Sequence, residues 1–94
     1  MKFVYCVQRA IRYNDELMLD GVETVCVTEE LAKREINKSA DHIIEVKDDL
    51  GYGKCVWQYF YCDGGGVYHQ ILTYQNNGTL TYTWRIVAPR LIES

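Results

Sequence analysis

The side chains best suited to chemistry in this chain are two imidazoles, His42 and His69, and four thiols, Cys6, Cys26, Cys55 and Cys62. An imidazole moves protons near neutral pH, and a thiolate beside it is a nucleophile. Cys62 and His69 flank the corner Asp63-Gly64-Gly65-Gly66, where a cysteine-histidine nucleophilic pair can be imagined. Their alignment is poor, because in the strand register read below His69 faces Phe60 while Cys62 faces Val67. A weak enzyme built on Cys62 or His69 is thus an alternative reading, and no catalytic residue is assigned. Zinc would need clustered ligands, but no Cys-x-x-Cys knuckle occurs, and six residues of expected strand separate Cys55 from Cys62. No metal or other cofactor is expected.

Two further motifs invite enzyme readings. Glu45-Val46-Lys47 with Asp41 upstream matches part of a metal-dependent nuclease core, in which acids hold Mg²⁺ and lysine stabilises developing charge. The tripeptide arises readily by chance and reads as a charged strand edge. Gly64-Gly65-Gly66 could cradle a phosphate only ahead of a helix, whose N-terminus carries partial positive charge. Here it precedes a strand and marks a hairpin corner.

Size and charge narrow the classes further. Ninety-four residues, 48% hydrophobic, make one domain with one modest core, residues 1–94, since such a chain buries about two thirds of its unfolded surface. The opening Met1-Lys2-Phe3-Val4-Tyr5-Cys6-Val7 is too short an apolar run for a signal peptide, and no stretch reaches the roughly 18 apolar residues of a membrane span. A cytosolic protein with reduced cysteines is expected. The net charge of −3 is uneven, with eleven acidic against seven basic residues up to Gly53 and two against three beyond it. That balance disfavours duplex DNA, whose binding needs neutralised phosphates. Acidic pairs at Asp15-Glu16 and Asp48-Asp49 are expected in loops.

The elements that must position these groups follow from periodicity. Phe3 to Ile11 alternates as a strand, Tyr13-Asn14-Asp15-Glu16 is a turn, and the chain returns to Val27 with a bulge or bend at Asp20-Gly21. Thr28 caps a helix with Glu29 and Glu30 in its first turn, and Ala32, Ile36 and Ala40 form its apolar stripe. Its exit is expected at Ser39–His42, followed by a short edge strand over residues 43–47 and an acidic loop. From Gly53 to Val87 the chain reads as a three-stranded ribbon. A two-residue Gly64-Gly65 turn would pair Tyr61 with Tyr68, Tyr59 with Gln70 and Trp57 with Leu72. A three-residue Asn76-Asn77-Gly78 loop, with Gly78 left-handed, would pair Tyr74 with Leu80, Leu72 with Tyr82 and Gln70 with Trp84.

This is an α+β fold: a mainly antiparallel sheet of about five strands with one helix on one face, in the order β-β-α-(β)-β-β-β. One short helix offers roughly 100 degrees of apolar arc. It cannot cover both sides of so aromatic a sheet, so some rings should remain accessible. Trp57, Tyr59, Tyr61, Tyr68 and Tyr82 could stack bases, but only Lys54, Arg85 and Arg90 lie nearby to bind a strand's phosphates. A ring-lined pocket for one small nucleotide needs fewer charges and stands as an alternative.

The run Phe3-Val4-Tyr5-Cys6-Val7, then Gly21-Val22, then Thr28-Glu29-Glu30-Leu31-Ala32, resembles the strand-strand-helix start of small cytosolic proteins encoded by phages and prophages. It covers about a third of the chain and carries no catalytic residue to transfer. In size, acidity and lack of enzyme motifs the chain is also similar to anti-CRISPR and related anti-defence proteins. That resemblance implies a non-enzymatic, stoichiometric inhibitor that occupies a protein partner, a bacterial defence nuclease. Asp15, Glu16, Asp48, Asp49, Tyr59, Phe60, Tyr61 and Arg85 are the expected contact residues. A homodimer through an uncovered sheet edge is also open to this architecture.

Overall fold

A computed structural model describes residues 2–51, 53–64 and 67–92. Among these residues five strands and one helix follow in the order β1 (Lys2–Tyr13), β2 (Glu16–Cys26), α1 (Glu29–Leu50), β3 (Lys54–Cys62), β4 (Tyr68–Gln75) and β5 (Thr79–Ile92). The strands form one antiparallel sheet in the order β2-β1-β5-β4-β3, with α1 on one face. The α+β architecture read from the sequence is the one observed. Pairing the first strand with the last places both at the centre and leaves β2 and β3 as edges.

The helix starts where its cap dictates. Thr28 is extended and its Oγ1 accepts the Leu31 N–H at 3.1 Å, while Glu29 and Glu30 occupy the first turn. Its end differs from expectation, because α1 continues through residues 43–47 and no strand forms there. Ile43 and Ile44 look like a strand pair in isolation. At helical spacing they extend the stripe of Ala32, Ile36 and Ala40, and they pack partly buried against the core. Gly51 ends the helix at φ 61, donating its N–H to the Asp48 carbonyl at 3.1 Å. Asp48 and Asp49 therefore lie in the last helical turn rather than in a loop. At 1.5 Å per residue α1 is about 33 Å long, enough to carry the chain obliquely from one edge of the sheet to the other.

Three hairpin corners set the registers. Asn14 and Asp15, both with positive φ (49 and 66), make a two-residue turn whose twist suits the flanking strands. Asn14 also donates its N–H to the Thr79 carbonyl and accepts the Thr79 N–H on Oδ1, both at 2.8 Å, which ties this turn to the β4–β5 corner. At that corner the expected pairs Tyr74–Leu80, Leu72–Tyr82 and Gln70–Trp84 are all present. The left-handed residue is Asn77, φ 56, rather than Gly78. Gly78 is needed for space: a Cβ there would overlap the Tyr13 ring, whose hydroxyl donates to the Asn77 carbonyl at 3.2 Å.

The β3–β4 corner corrects the sequence reading. Asp63 and Val67 close the hairpin, with the Asp63 N–H bonded to the Val67 carbonyl and the Val67 N–H to Asp63 Oδ1, each at 3.0 Å. A wider corner moves the register by one residue, so that Cys62 pairs with Tyr68, Tyr61 with His69, Phe60 with Gln70 and Tyr59 with Ile71. Side chains alternate with period two, and this single step exchanges the faces of β3. Tyr59 and Tyr61 leave the helix side for the open side, and Phe60 takes the reverse path.

Ala32, Ile36 and Ala40 of α1 pack on Val7, Cys26, Tyr68, Leu72, Tyr74, Tyr82, Trp84 and Ile86 of the sheet. One polar knot pins this layer. Along the β1–β2 ladder Val7 pairs with Thr24 and Gln8 with Val22, which makes Glu23 the extra residue of a bulge; Met18 is a second, and Asp20-Gly21 runs straight through. The bulge turns the Glu23 carboxylate toward the helix. There Oε2 accepts the Trp84 indole N–H at 3.0 Å, and Oε1 meets Arg9 Nη1 at 3.1 Å and the Ser39 hydroxyl at 2.8 Å.

Replacing Glu23 by alanine orphans the wholly buried Trp84 N–H and strips Arg9 and Ser39 of their acceptor. With its own side chain only 23% exposed, the change is expected to cost about 2 kcal/mol, measured as a lower urea midpoint. A second expectation concerns alkaline pH. Burial raises the Tyr68 and Tyr74 phenols above their ordinary 10.0 and the Cys26 thiol above 9.0, with smaller contributions from Cys62 on Tyr68, from Cys55, Asp48 and Tyr82 on Tyr74, and from Glu35 on Cys26. Each is an acid whose charged form the fold disfavours, so its stabilisation is complete below the unfolded value and is lost as pH rises through the raised folded value. The melting temperature should therefore fall above about pH 9, with the ultraviolet signal of Tyr68 and Tyr74 ionisation accompanying unfolding.

Candidate open-face site

On the face away from α1, cross-strand pairing lines up side chains from four strands in one row. Gln8 of β1 stands opposite Arg85 of β5, Arg85 opposite His69 of β4, and His69 opposite Tyr61 of β3. Each member is held by a neighbour. Arg85 Nε donates to Gln8 Oε1 at 2.7 Å, and His69 Nε2 lies 2.9 Å from Asp63 Oδ2. The Tyr61 ring stacks on the imidazole with centroids 4.7 Å apart and planes 8° from parallel. Asp63 thus closes the hairpin with one oxygen and orients His69 with the other.

The next row along the strands is low. Ala10 pairs with Thr83, and Asp20 stands opposite Ala10 at the β2 edge; one row further, Arg12 pairs with Thr81. Short side chains between taller ones leave a hollow of about 290 Å³ whose walls include Gln8, Arg12, Asp20, Tyr61, His69 and Arg85. A second and more apolar hollow, about 640 Å³, continues toward β3 over Tyr59, Ile71, Thr73 and Thr81. Both belong to the same uncovered face.

Strand β3 itself is the other outlying surface. Packing of α1 runs over β2, β1 and β5 and reaches β4 where Lys33 lies over the Tyr68 ring, and among the described residues the outer edge of β3 has no strand beside it. Its rings are correspondingly open: Phe60 is 71% exposed on the helix side, and Tyr59 and Tyr61 are 45% and 42% exposed on the other. The opposite edge, β2, exposes Leu17, Met18, Leu19, Val22 and Val25, but it also carries Glu16 and Asp20. Between Cys55 and Cys62, β3 carries no charge.

The expected contact residues are thereby divided. Tyr61 and Arg85 share a row, and Tyr59 lies on the same face; Phe60 points the other way. Asp15 and Glu16, at the β1–β2 turn, lie at the opposite end of the sheet from the Asp63 corner. Asp48 and Asp49 precede Gly51 and the start of β3, which pairs with the end of β4 at that same end. In a molecule 48 Å long, the acidic pairs and the rings are not one patch. Cys62 and His69 point to opposite faces, so they do not form a nucleophilic pair. Asp41, Glu45 and Lys47 sit on α1 rather than on a strand edge. Among the described residues no group of three or more His, Cys, Asp and Glu is placed to hold a metal ion, and no helix is long and apolar enough to cross a membrane.

Sequence reasoning overlooked Gln8, Arg12, Asp20 and Asp63. Asp63 was legible as a hairpin-corner aspartate able to bond its own backbone. The others required the pairing of β1 with β5 and β2, and nothing local announces which strands will meet. No protein-family model matches the chain, and no curated protein or solved structure is significantly similar to it.

Proposed function

We propose that this chain is a non-enzymatic, stoichiometric binding protein that docks on a protein partner through β3. The observation that carries the reading is an edge strand that projects beyond the helix and is uncharged from Cys55 to Cys62, with Phe60, Tyr59 and Tyr61 open on its two faces. An unpaired edge offers a row of backbone donors and acceptors to an extended segment, and alternate rings supply anchors on both sides. Natural edges are commonly guarded by charge or proline; this one has Lys54 at its start and a bulge between Cys55 and Trp57, and its ring-bearing stretch carries neither charge nor proline. The acidic far end, with Asp15, Glu16, Asp48 and Asp49, suits steering toward a basic surface. Such chemistry fits the phage-type inhibitor implied by resemblance, one that acts in the host cytosol by occupying a defence nuclease.

The test is inhibition by purified protein of a panel of bacterial defence nucleases, with binding measured by surface plasmon resonance. A one-to-one complex is expected, and Phe60→Ala with Tyr59→Ala should weaken it by about 2 kcal/mol or more, roughly 30-fold. Unchanged affinity in that double variant would remove β3 from the interface.

A further inference from the structure

We infer that the hollow between Arg12 and Arg85 on the open face is a binding site for a phosphate-bearing planar ligand of mononucleotide size, a site distinct from the β3 edge. Two guanidinium groups and an imidazole border the hollow, and among the described residues its single acid is Asp20. No salt bridge to a carboxylate ties up either arginine among the described residues. Among the described residues Arg85 is engaged at Nε, by Gln8, which fixes the plane of the guanidinium and leaves its terminal amino groups to bind. A planar fork of this kind matches phosphate oxygens.

The shape of the hollow and the order of its walls suit the same ligand. Arg12 and Gln8, whose row holds Arg85, are four residues apart on β1, so the two cationic ends are separated by about 13 Å along the strands. Between them the floor is Ala10 and Thr83, low and partly polar. At 290 Å³ the hollow falls near the lower end of small-molecule pockets, about 300 to 1,000 Å³, which suits one nucleotide. Tyr61 is already stacked on a histidine held by Asp63, and the adjoining hollow has Tyr59 and Ile71 in its lining. A base placed there meets a surface whose ordering preceded its arrival.

Asp20 determines the remaining polarity. A carboxylate at the β2 rim repels a second anionic group and accepts from hydroxyl or amino donors, as a ribose or an exocyclic amine would offer. A continuous single strand is a poorer occupant. It would need a basic track for successive phosphates, and the chain as a whole is acidic.

Titration of the isotopically labelled protein with adenosine monophosphate, monitored by amide chemical shifts and by calorimetry, tests the assignment. Shifts should cluster at Gln8–Arg12, His69 and Thr83–Arg85, with a Kd below about 1 mM. Adenosine alone and inorganic phosphate alone should each bind at least about tenfold more weakly. Arg12→Gln combined with Arg85→Gln should weaken the nucleotide by at least about tenfold while leaving the circular dichroism melt intact. Phe60→Ala, on the other face, should leave it unchanged, which separates this site from the partner surface of β3. Absence of shifts with adenosine, guanosine and uridine monophosphates at about 5 mM, or equal affinity in the double glutamine variant, would overturn the inference. So would phosphate binding as tightly as the nucleotide, or a uridylate oligomer binding far more tightly than uridine monophosphate.

Discussion

The Glu23 carboxylate is the contact on which the arrangement of layers depends. It sits on an edge strand yet reaches across the sheet to the indole of Trp84, the largest side chain that is fully buried, and up to Ser39 on the helix. An acid in that position is tolerated because three donors converge on its two oxygens, one of them the Arg9 guanidinium. The β-bulge makes this possible: in a regular strand the residue before Thr24 would face the open side. A local irregularity in β2 thus fixes where α1 lies relative to β1 and β5.

Once α1 is fixed over β2, β1 and β5, the exposed surfaces follow. One helix covers about the width of two or three strands, since helices are about 10 Å across and strands under 5 Å apart. A five-stranded sheet therefore keeps one face open and lets an edge strand extend beyond cover. Tyr59, Phe60 and Tyr61 project on that strand, while Tyr68, Tyr74, Tyr82 and Trp84, close in sequence and similar in chemistry, form the floor of the core. The ring surplus of the chain is thus split into a packed set and a presented set.

Much of this was legible residue by residue. The Thr28 cap, the Asn14-Asp15 turn and the β4–β5 register are local: each is set by side chains that bond or constrain backbone within a few positions, and such energies act whatever the rest of the chain does. The end of α1 was not. Ile43-Ile44 has strand-like character alone, and its helical state is stabilised by burial against a core assembled from distant residues. The β3 register failed for a related reason. Three consecutive glycines permit several corner widths, and Asp63 chose among them by bonding Val67 and His69 together.

The sequence by itself determined the fold class, the helix start, two hairpin corners and the presence of more aromatic surface than one helix can hide, because these depend on periodicity and short-range geometry. Tertiary structure alone decided which rings are exposed, how far the acidic pairs lie from them, and that Gln8, Arg85, His69 and Tyr61 share a row. Strand pairing is a long-range choice: Gln8 and Arg85 are 77 positions apart, and a one-residue step in register moves every side chain of a strand to the other face.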